Sequence, residues 1–207
     1  MMKRKLGKVI KNLVYIPYDY VAAYFLRLLP VNIFVKDILQ DEELGSTGND
    51  TVAIFAHFDG DKSVERYVEY YLQKLHKSGI DIVFISNSKK LLKDDVDRIK
   101  PFTKKIIIRR GRGRDFASYF LGWELYKEEI KRKYNYLILC NDSVFGPFDT
   151  NRSIKFENIV QKLKQKDFSG LTDSYESGYH VQSYFLMFSK KIFGSDIDIR
   201  MVKGARL

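Results

Sequence analysis

Three short polar stretches in this chain could do chemistry, and each follows an apolar run. Tyr136-Leu137-Ile138-Leu139-Cys140 stops on Asn141-Asp142-Ser143. Val52 to Ala56 stops on His57-Phe58-Asp59-Gly60, and Ile80 to Ile85 stops on Ser86-Asn87-Ser88. An apolar run of this length predicts one buried strand. A polar residue at the end of such a strand stands at the C-terminal edge of a sheet, where open α/β folds bind ligands. An Asp there, beside an amide and a hydroxyl, suits a hard cation such as Mg²⁺ or Mn²⁺, which takes oxygen ligands and brings phosphates with it. The competing reading is a turn that Asp142 caps while Asn141 and Ser143 satisfy nearby backbone.

A fourth stretch is basic. Lys105 to Arg109 leads into Arg110-Gly111-Arg112-Gly113-Arg114-Asp115. Glycines let backbone approach a ligand closely. Arginines offer forked donors to phosphate oxygens, and a following helix turns its positive end to the same place. Two later pieces carry further candidates, Asp173 after the run Gly170-Leu171-Thr172, and His180 at the head of a last strand. No phosphate loop of the GxxxxGK[ST] type, no GxGxxG after the first strand and no Ser/His/Asp order is present.

These residues need elements to position them. Strands are predicted at 52–56, 80–86, 105–109, 136–140, 168–172 and 181–189. Val64, Tyr67, Val68, Tyr71, Leu72 and Leu75 recur at helical spacing, so 62–77 is predicted as an amphipathic helix. Helices are also predicted over 90–99, 115–132 and 154–165. Repeated β-α-β with short connections predicts an α/β, Rossmann-like, mostly parallel sheet with helices on both faces. The segment Asp41 to Asp50, rich in Gly, Ser, Thr and Asn, reads as a linker. That divides the chain into a basic and aromatic helical arm, 1–48, and a domain, 49–207.

Composition bounds the partners. The 207 residues carry a net charge of +10 with 45% hydrophobic and 14% aromatic residues. That excess favours a membrane surface, nucleic acid or phosphate-bearing ligands. Lys3, Arg4, Lys5, Lys8 and Lys11, followed by an aromatic and aliphatic stretch, suit an anionic membrane interface. The alternative is a helix packed on the domain. Pro17, Asp19 and Arg27 interrupt that stretch, so it is not read as a membrane span. Cys140 is the single cysteine, which excludes an internal disulfide and reads as a small core residue.

AIFAHFD (53–59), VFISNS (83–88), GRDFASYFLGWE (113–124), LILCNDSVFGPF (137–148), FSGLTDSYE (168–176) and HVQSYFLMFSKKIF (180–193) together resemble the rhamnan synthesis protein F family of bacterial glycosyltransferases. The resemblance implies a GT-A-like fold, a nucleotide-sugar donor such as dTDP-rhamnose, a lipid-linked glycan acceptor and no nucleic acid. It implies work at the cytoplasmic face of the plasma membrane, peripherally attached to an anionic surface. By that likeness Asn141-Asp142-Ser143 occupies the place of the Asp-x-Asp motif of many GT-A enzymes, with Asp142 as the metal ligand. His57, Asp59, Ser86 and Asn87 would hold base and ribose, Arg114 and Asp115 would face the diphosphate, and Asp173 and His180 would serve catalysis on the acceptor side. The likeness fades after Phe193, and Gly194 to Leu207 shows no amphipathic closing helix. The expectation is a shortened chain, weak in transfer alone, completed by a partner glycosyltransferase chain. The reading from another class is a non-catalytic basic module for anionic lipid or RNA.

Overall fold

The structure is a computed structural model that describes residues 30–111, 113–144, 155–175 and 180–194. Of the predicted arm, 1–48, residues 1–29 lie outside the described residues. Three apolar runs form the centre: β2 (Thr51–His57), β3 (Ile80–Ser86) and β4 (Lys105–Arg109) are buried at every position. Runs without alternation are what a sheet covered on both faces requires. With β5 (Tyr136–Asn141) they make a parallel block ordered β4-β3-β2-β5. β9 (Phe185–Ser189) runs antiparallel on β5, and β6 (Phe168–Gly170) antiparallel on β9. β1 (Val35–Asp41) lies antiparallel on β4 and completes seven strands.

Helices cover both faces. α1 (Arg66–Lys77), α2 (Lys93–Ile99) and α4 (Phe156–Leu163) place Val68, Tyr71, Leu72, Leu75, Val96, Ile99 and Val160 in one core layer. α3 (Arg114–Lys133) and the short α5 (Lys190–Phe193) place Tyr119, Leu121, Trp123, Ile130 and Phe193 in the other. α3 lies so close to the sheet that a Cβ at Gly122 would stand 2.7 Å from Ile85 and 2.8 Å from Ile54. The expected mixed α/β fold with a mostly parallel sheet is therefore present. Among the described residues no helix is long and apolar enough to cross a membrane.

Two features depart from the sequence reading. Residues 35–41, assigned to the arm, form an edge strand of the sheet. Register shifts between Val35 and Asp37 and between Ile38 and Gln40 break its alternation, so no period of two is visible in the sequence. The stretch read as a linker is anchored. Buried Asp81 accepts hydrogen bonds from Gly45 N–H (3.2 Å), Thr47 Oγ1 (2.8 Å), Asn49 Nδ2 (2.8 Å) and Tyr134 OH (2.6 Å), and Leu44 is fully buried. Its polar composition serves one buried carboxylate.

Smaller differences have local causes. Lys62 has a φ of 69°, and the Asp59 carboxylate accepts the N–H groups of Asp61 and Ser63, so the helix predicted from 62 starts at Arg66. The strand predicted over 181–189 divides into β8 (His180–Val181) and β9, and β8 pairs with β7 (Asp173–Ser174) in a separate ribbon.

Candidate functional site

Among the described strands the order reverses at one topological switch point. The connections after β2 and β3 build the order towards β1, and the connection after β4 crosses back to β5, so β2 and β5 lie side by side with connections diverging from their C-terminal ends. A crevice opens at such a place. The register sets the strand ends level, with Ala56 opposite Asn141 and His57 opposite Ser86. Three of the predicted polar stretches thus converge.

Asp142 stands at the centre, its side chain 10% exposed. The Phe58 N–H donates to Asp142 Oδ2 at 3.0 Å, and Tyr67 OH donates to the Asp142 carbonyl at 3.3 Å. Burial raises its carboxyl to about 6; the Phe58 N–H opposes this, and the fields of Asp115 and Asp59 add to it. A partly neutralised carboxylate among other carboxylates is a place where a cation or a hydrogen-bonding ligand is welcome.

Beneath Asp142 lies a buried polar layer. His57 Nδ1 meets Ser86 Oγ at 3.0 Å, and its Nε2 is 3.8 Å from Asp142 Oδ2. Burial pushes His57 down to about 4, so the ring is neutral near pH 7 and the pair is not an ion pair. Ser86 Oγ accepts the Ser88 N–H at 3.1 Å, and Ser88 Oγ accepts the Asp59 N–H at 2.9 Å. His57 and Ser86, expected to touch the ligand, are 2% and 0% exposed. They support the crevice floor from below, because the strand ends that carry them are covered. Asp59 Oδ1 takes the N–H groups of Asp61 and Ser63 at 2.7 and 3.2 Å, which shapes its own loop as the turn reading anticipates.

A second group joins from β4 and α3. Asn141 Nδ2 donates to Asp115 Oδ2 at 2.6 Å, while Asn141 Oδ1 accepts the Ser143 N–H at 3.1 Å. Asn141 is thus both a turn former and a bridge to α3. Burial raises the Asp115 carboxyl, against the lowering effects of Asn141, Arg109 and Arg114. Arg114 is exposed with a φ of 45°. Asn87, in the amide orientation that satisfies both of its ends, donates to the Gly111 carbonyl at 3.1 Å and accepts from Arg109 Nη2 at 3.2 Å. Arg109, expected among the phosphate donors, is 3% exposed and donates inward.

Asp173 and His180 belong to the β7–β8 ribbon, where Asp173 faces Val181 and Ser174 faces His180. Both are exposed. The ribbon rises from the same edge as Asn141, since Gly170 is level with Leu186 and Tyr184 offers its carbonyl to the Asn141 N–H at 3.2 Å. Sequence reasoning assigned no site role to Tyr67, read only as part of an apolar stripe, or to the Phe58 N–H, and named Ser88 only as the end of a polar stretch. Phe58 itself is 60% exposed, an aromatic face at the crevice whose only sequence signal is its place between His57 and Asp59.

Among the described residues no three His, Cys, Asp or Glu side chains could together hold a metal ion. Asp142 can supply one carboxylate. Mg²⁺ commonly takes one or two carboxylates, with substrate phosphates and water completing its shell, so the residues fit a cation that arrives with a phosphorylated ligand. A separate cavity of about 90 Å³, lined by residues that include Glu42, His76, Asp81 and Phe102, lies at the opposite edge of the sheet and takes no part in this site.

Strand ends converging on a half-buried carboxylate at a switch point define an α/β protein with a ligand crevice. The chain belongs to the rhamnan synthesis protein F family, whose model matches residues 82–200. It is similar to virulence protein VirA of Vibrio anguillarum (strain ATCC 68554 / 775), 29% identical over 148 residues, covering 70% of this chain and 45% of that protein. It is also similar to uncharacterized protein y4gN of Sinorhizobium fredii (strain NBRC 101917 / NGR234), 30% identical over 128 residues, covering 58% of this chain and 31% of that protein. The matches thus span less than half the length of these relatives.

Proposed function

We propose that this chain is a nucleotide-sugar-binding domain of a glycosyltransferase that builds a rhamnose-containing cell-surface polysaccharide. Family membership supports the polysaccharide, and the observation that carries the site is Asp142, held by the Phe58 N–H at the switch point of the sheet. The β4-β3-β2-β5 order, that of one half of a dinucleotide-type sheet plus the strand across its switch point, supports a GT-A-like arrangement. In this reading dTDP-rhamnose is the donor and a lipid-linked glycan the acceptor. Work at the inner face of an anionic membrane, beside a partner glycosyltransferase chain, belongs to the same proposal.

Asp142 meets the donor diphosphate, directly or through Mg²⁺ or Mn²⁺. A cation bound there would neutralise charge on the departing diphosphate. Asn141 and Asp115 hold each other, and so hold the corner on which Asp142 stands. Asp59 and Asn87 border the base and ribose, with His57 and Ser86 as their support. Arg114, exposed at the head of α3, faces the phosphates. Asp173 and His180, on the ribbon above the same edge, face the acceptor.

The test is a melting-temperature and calorimetry panel of nucleoside diphosphates and nucleotide sugars, with and without Mn²⁺. A ligand of the folded state raises the melting point. Binding that depends on Asp142 supports the proposal, and normal donor binding and transfer by Asp142→Ala overturns the role of this residue. The net charge of +10 favours a second reading, a basic module for anionic lipid or RNA. No nucleotide binding, together with RNA or vesicle affinity that falls steeply with salt, would establish that reading instead.

A further inference from the structure

The Arg109 guanidinium faces into its own loop. Its Nε donates to Ser118 Oγ at 2.7 Å, its Nη1 to the carbonyls of Arg110 (3.3 Å) and Gly111 (3.4 Å), and its Nη2 to the carbonyl of Arg114 (2.7 Å). Asn87 ties the same group to the end of β3. A planar fork can gather several carbonyls at fixed angles, which a lysine ammonium cannot. The carbonyls it gathers belong to a loop with left-handed backbone at Gly111 (φ 95°), Gly113 (φ 101°) and Arg114 (φ 45°). For a residue with a side chain that conformation is unfavourable and needs surrounding structure to hold it. The Arg114 carbonyl belongs to the peptide that leads into Asp115. Turning this carbonyl inward turns the Asp115 N–H outward, because the two lie on opposite sides of one planar peptide. Asp115 is the acceptor of Asn141 Nδ2, and Asn141 precedes Asp142.

We propose that Arg109 is a positioning residue: from inside the protein it gathers the carbonyls of Arg110, Gly111 and Arg114 so that Asp115 holds Asn141 and the Asn141–Asp142 corner keeps its shape. Its influence on the bound nucleoside diphosphate rests on the function proposed above; its control of the corner does not. The loop arginines thereby divide by role. Arg109 shapes the loop, and exposed Arg114 is left for the ligand.

The experiment uses the full chain and three variants: Arg109→Lys, which keeps charge and loses the fork; Ser118→Ala, which removes only the Nε acceptor; and Ile130→Val, a core change at the far end of α3. The first readout is the side-chain amide resonance of Asn141 by NMR, which reports the bond to Asp115. The second is the affinity for dTDP and UDP with Mn²⁺. Arg109→Lys is expected to move the Asn141 resonance to the position of a solvent-exposed amide and to weaken diphosphate binding at least about tenfold, while Ser118→Ala gives a smaller change of the same sign. Ile130→Val is expected to lower the melting point and leave both readouts in place. An unmoved Asn141 resonance in a folded Arg109→Lys or Ser118→Ala protein overturns the proposal, as does a shift that Ile130→Val reproduces. A moved resonance with unchanged affinity removes the link to the ligand. If the wild-type chain binds no nucleoside diphosphate, the proposed function falls and the Asn141 resonance still decides the role of Arg109.

Discussion

Asp142 is held in the folded chain at odds with its own charge. Burial lifts its carboxyl to about 6, above the ordinary value for Asp. A carboxyl raised on folding stabilises the fold most below its ordinary value, and that contribution is lost as pH rises through about 6. Asp142→Asn keeps an oxygen for the Phe58 N–H and removes the charge. We therefore expect Asp142→Asn to match the wild type near pH 4 and to exceed it at pH 8 by up to about 3 kcal/mol, measured by urea denaturation at both values. The same variant should lose cation-dependent nucleotide binding, because an amide replaces the charged ligand. A residue that weakens the fold and serves a ligand is the expected trade of a functional site. A destabilised Asp142→Asn protein at pH 8 would contradict the burial argument.

At the scale of elements, two close contacts govern how the sheet edges and helices are placed. Gly122 lets α3 approach β2 and β3, and a methyl group there would press on Ile54 and Ile85. Gly122→Ala should destabilise by about 1–3 kcal/mol through overpacking, read as a lowered urea midpoint with unchanged slope. Displacement of α3 should also weaken the Asp115–Asn141 bond. At the opposite edge Asp81 holds the 44–49 loop through three donors and also accepts from the Tyr134 hydroxyl. Asp81→Ala strands the buried Tyr134 hydroxyl and should destabilise by about 3 kcal/mol. Limited proteolysis should then cut within 44–49, while nucleotide affinity stays unchanged because the crevice lies at the other edge.

At the scale of the whole molecule, the charge and the edge strand bear on membrane attachment. β1 belongs to the sheet: it pairs with β4, and the Lys105 ammonium meets Asp41 at 2.5 Å beneath the ring of Tyr126. A deletion that tests the basic N-terminal stretch must therefore end before Pro30. Removing residues 1–29 is expected to release the protein from phosphatidylglycerol vesicles and to preserve cooperative melting of the sheet. Removing residues through Asp41 should lower the melting point as well, because it uncovers β4 and leaves Lys105 without its carboxylate. Vesicle binding that survives the first deletion would move the membrane contact onto the described domain.

Several properties were legible in the sequence because they depend on near neighbours along the chain. β2, β3, β4 and β5 follow from apolar runs, broken in β3 only by Asp81 near its start, α1 and α3 from a 3.6-residue stripe, and the crevice from polar residues placed where those runs stop. The α/β alternation then restricts the topology, since parallel strands need crossover helices of one hand. Family membership was legible in six short motifs in order. The tertiary structure decided what depends on long-range contacts. Bulged β1 is a strand only because β4 lies beside it. The polar 41–50 segment is an anchored loop only because Asp81, far along the chain, lies beneath it. Burial separated residues that look equivalent on paper. His57 and Ser86 sit under the crevice, Asp142 sits within it, and Arg109 turns inward while Arg114 remains exposed. A side chain's type is written in the sequence, but its exposure and the field around it belong to the assembled sheet, and those set whether a residue touches a ligand or holds the residue that does.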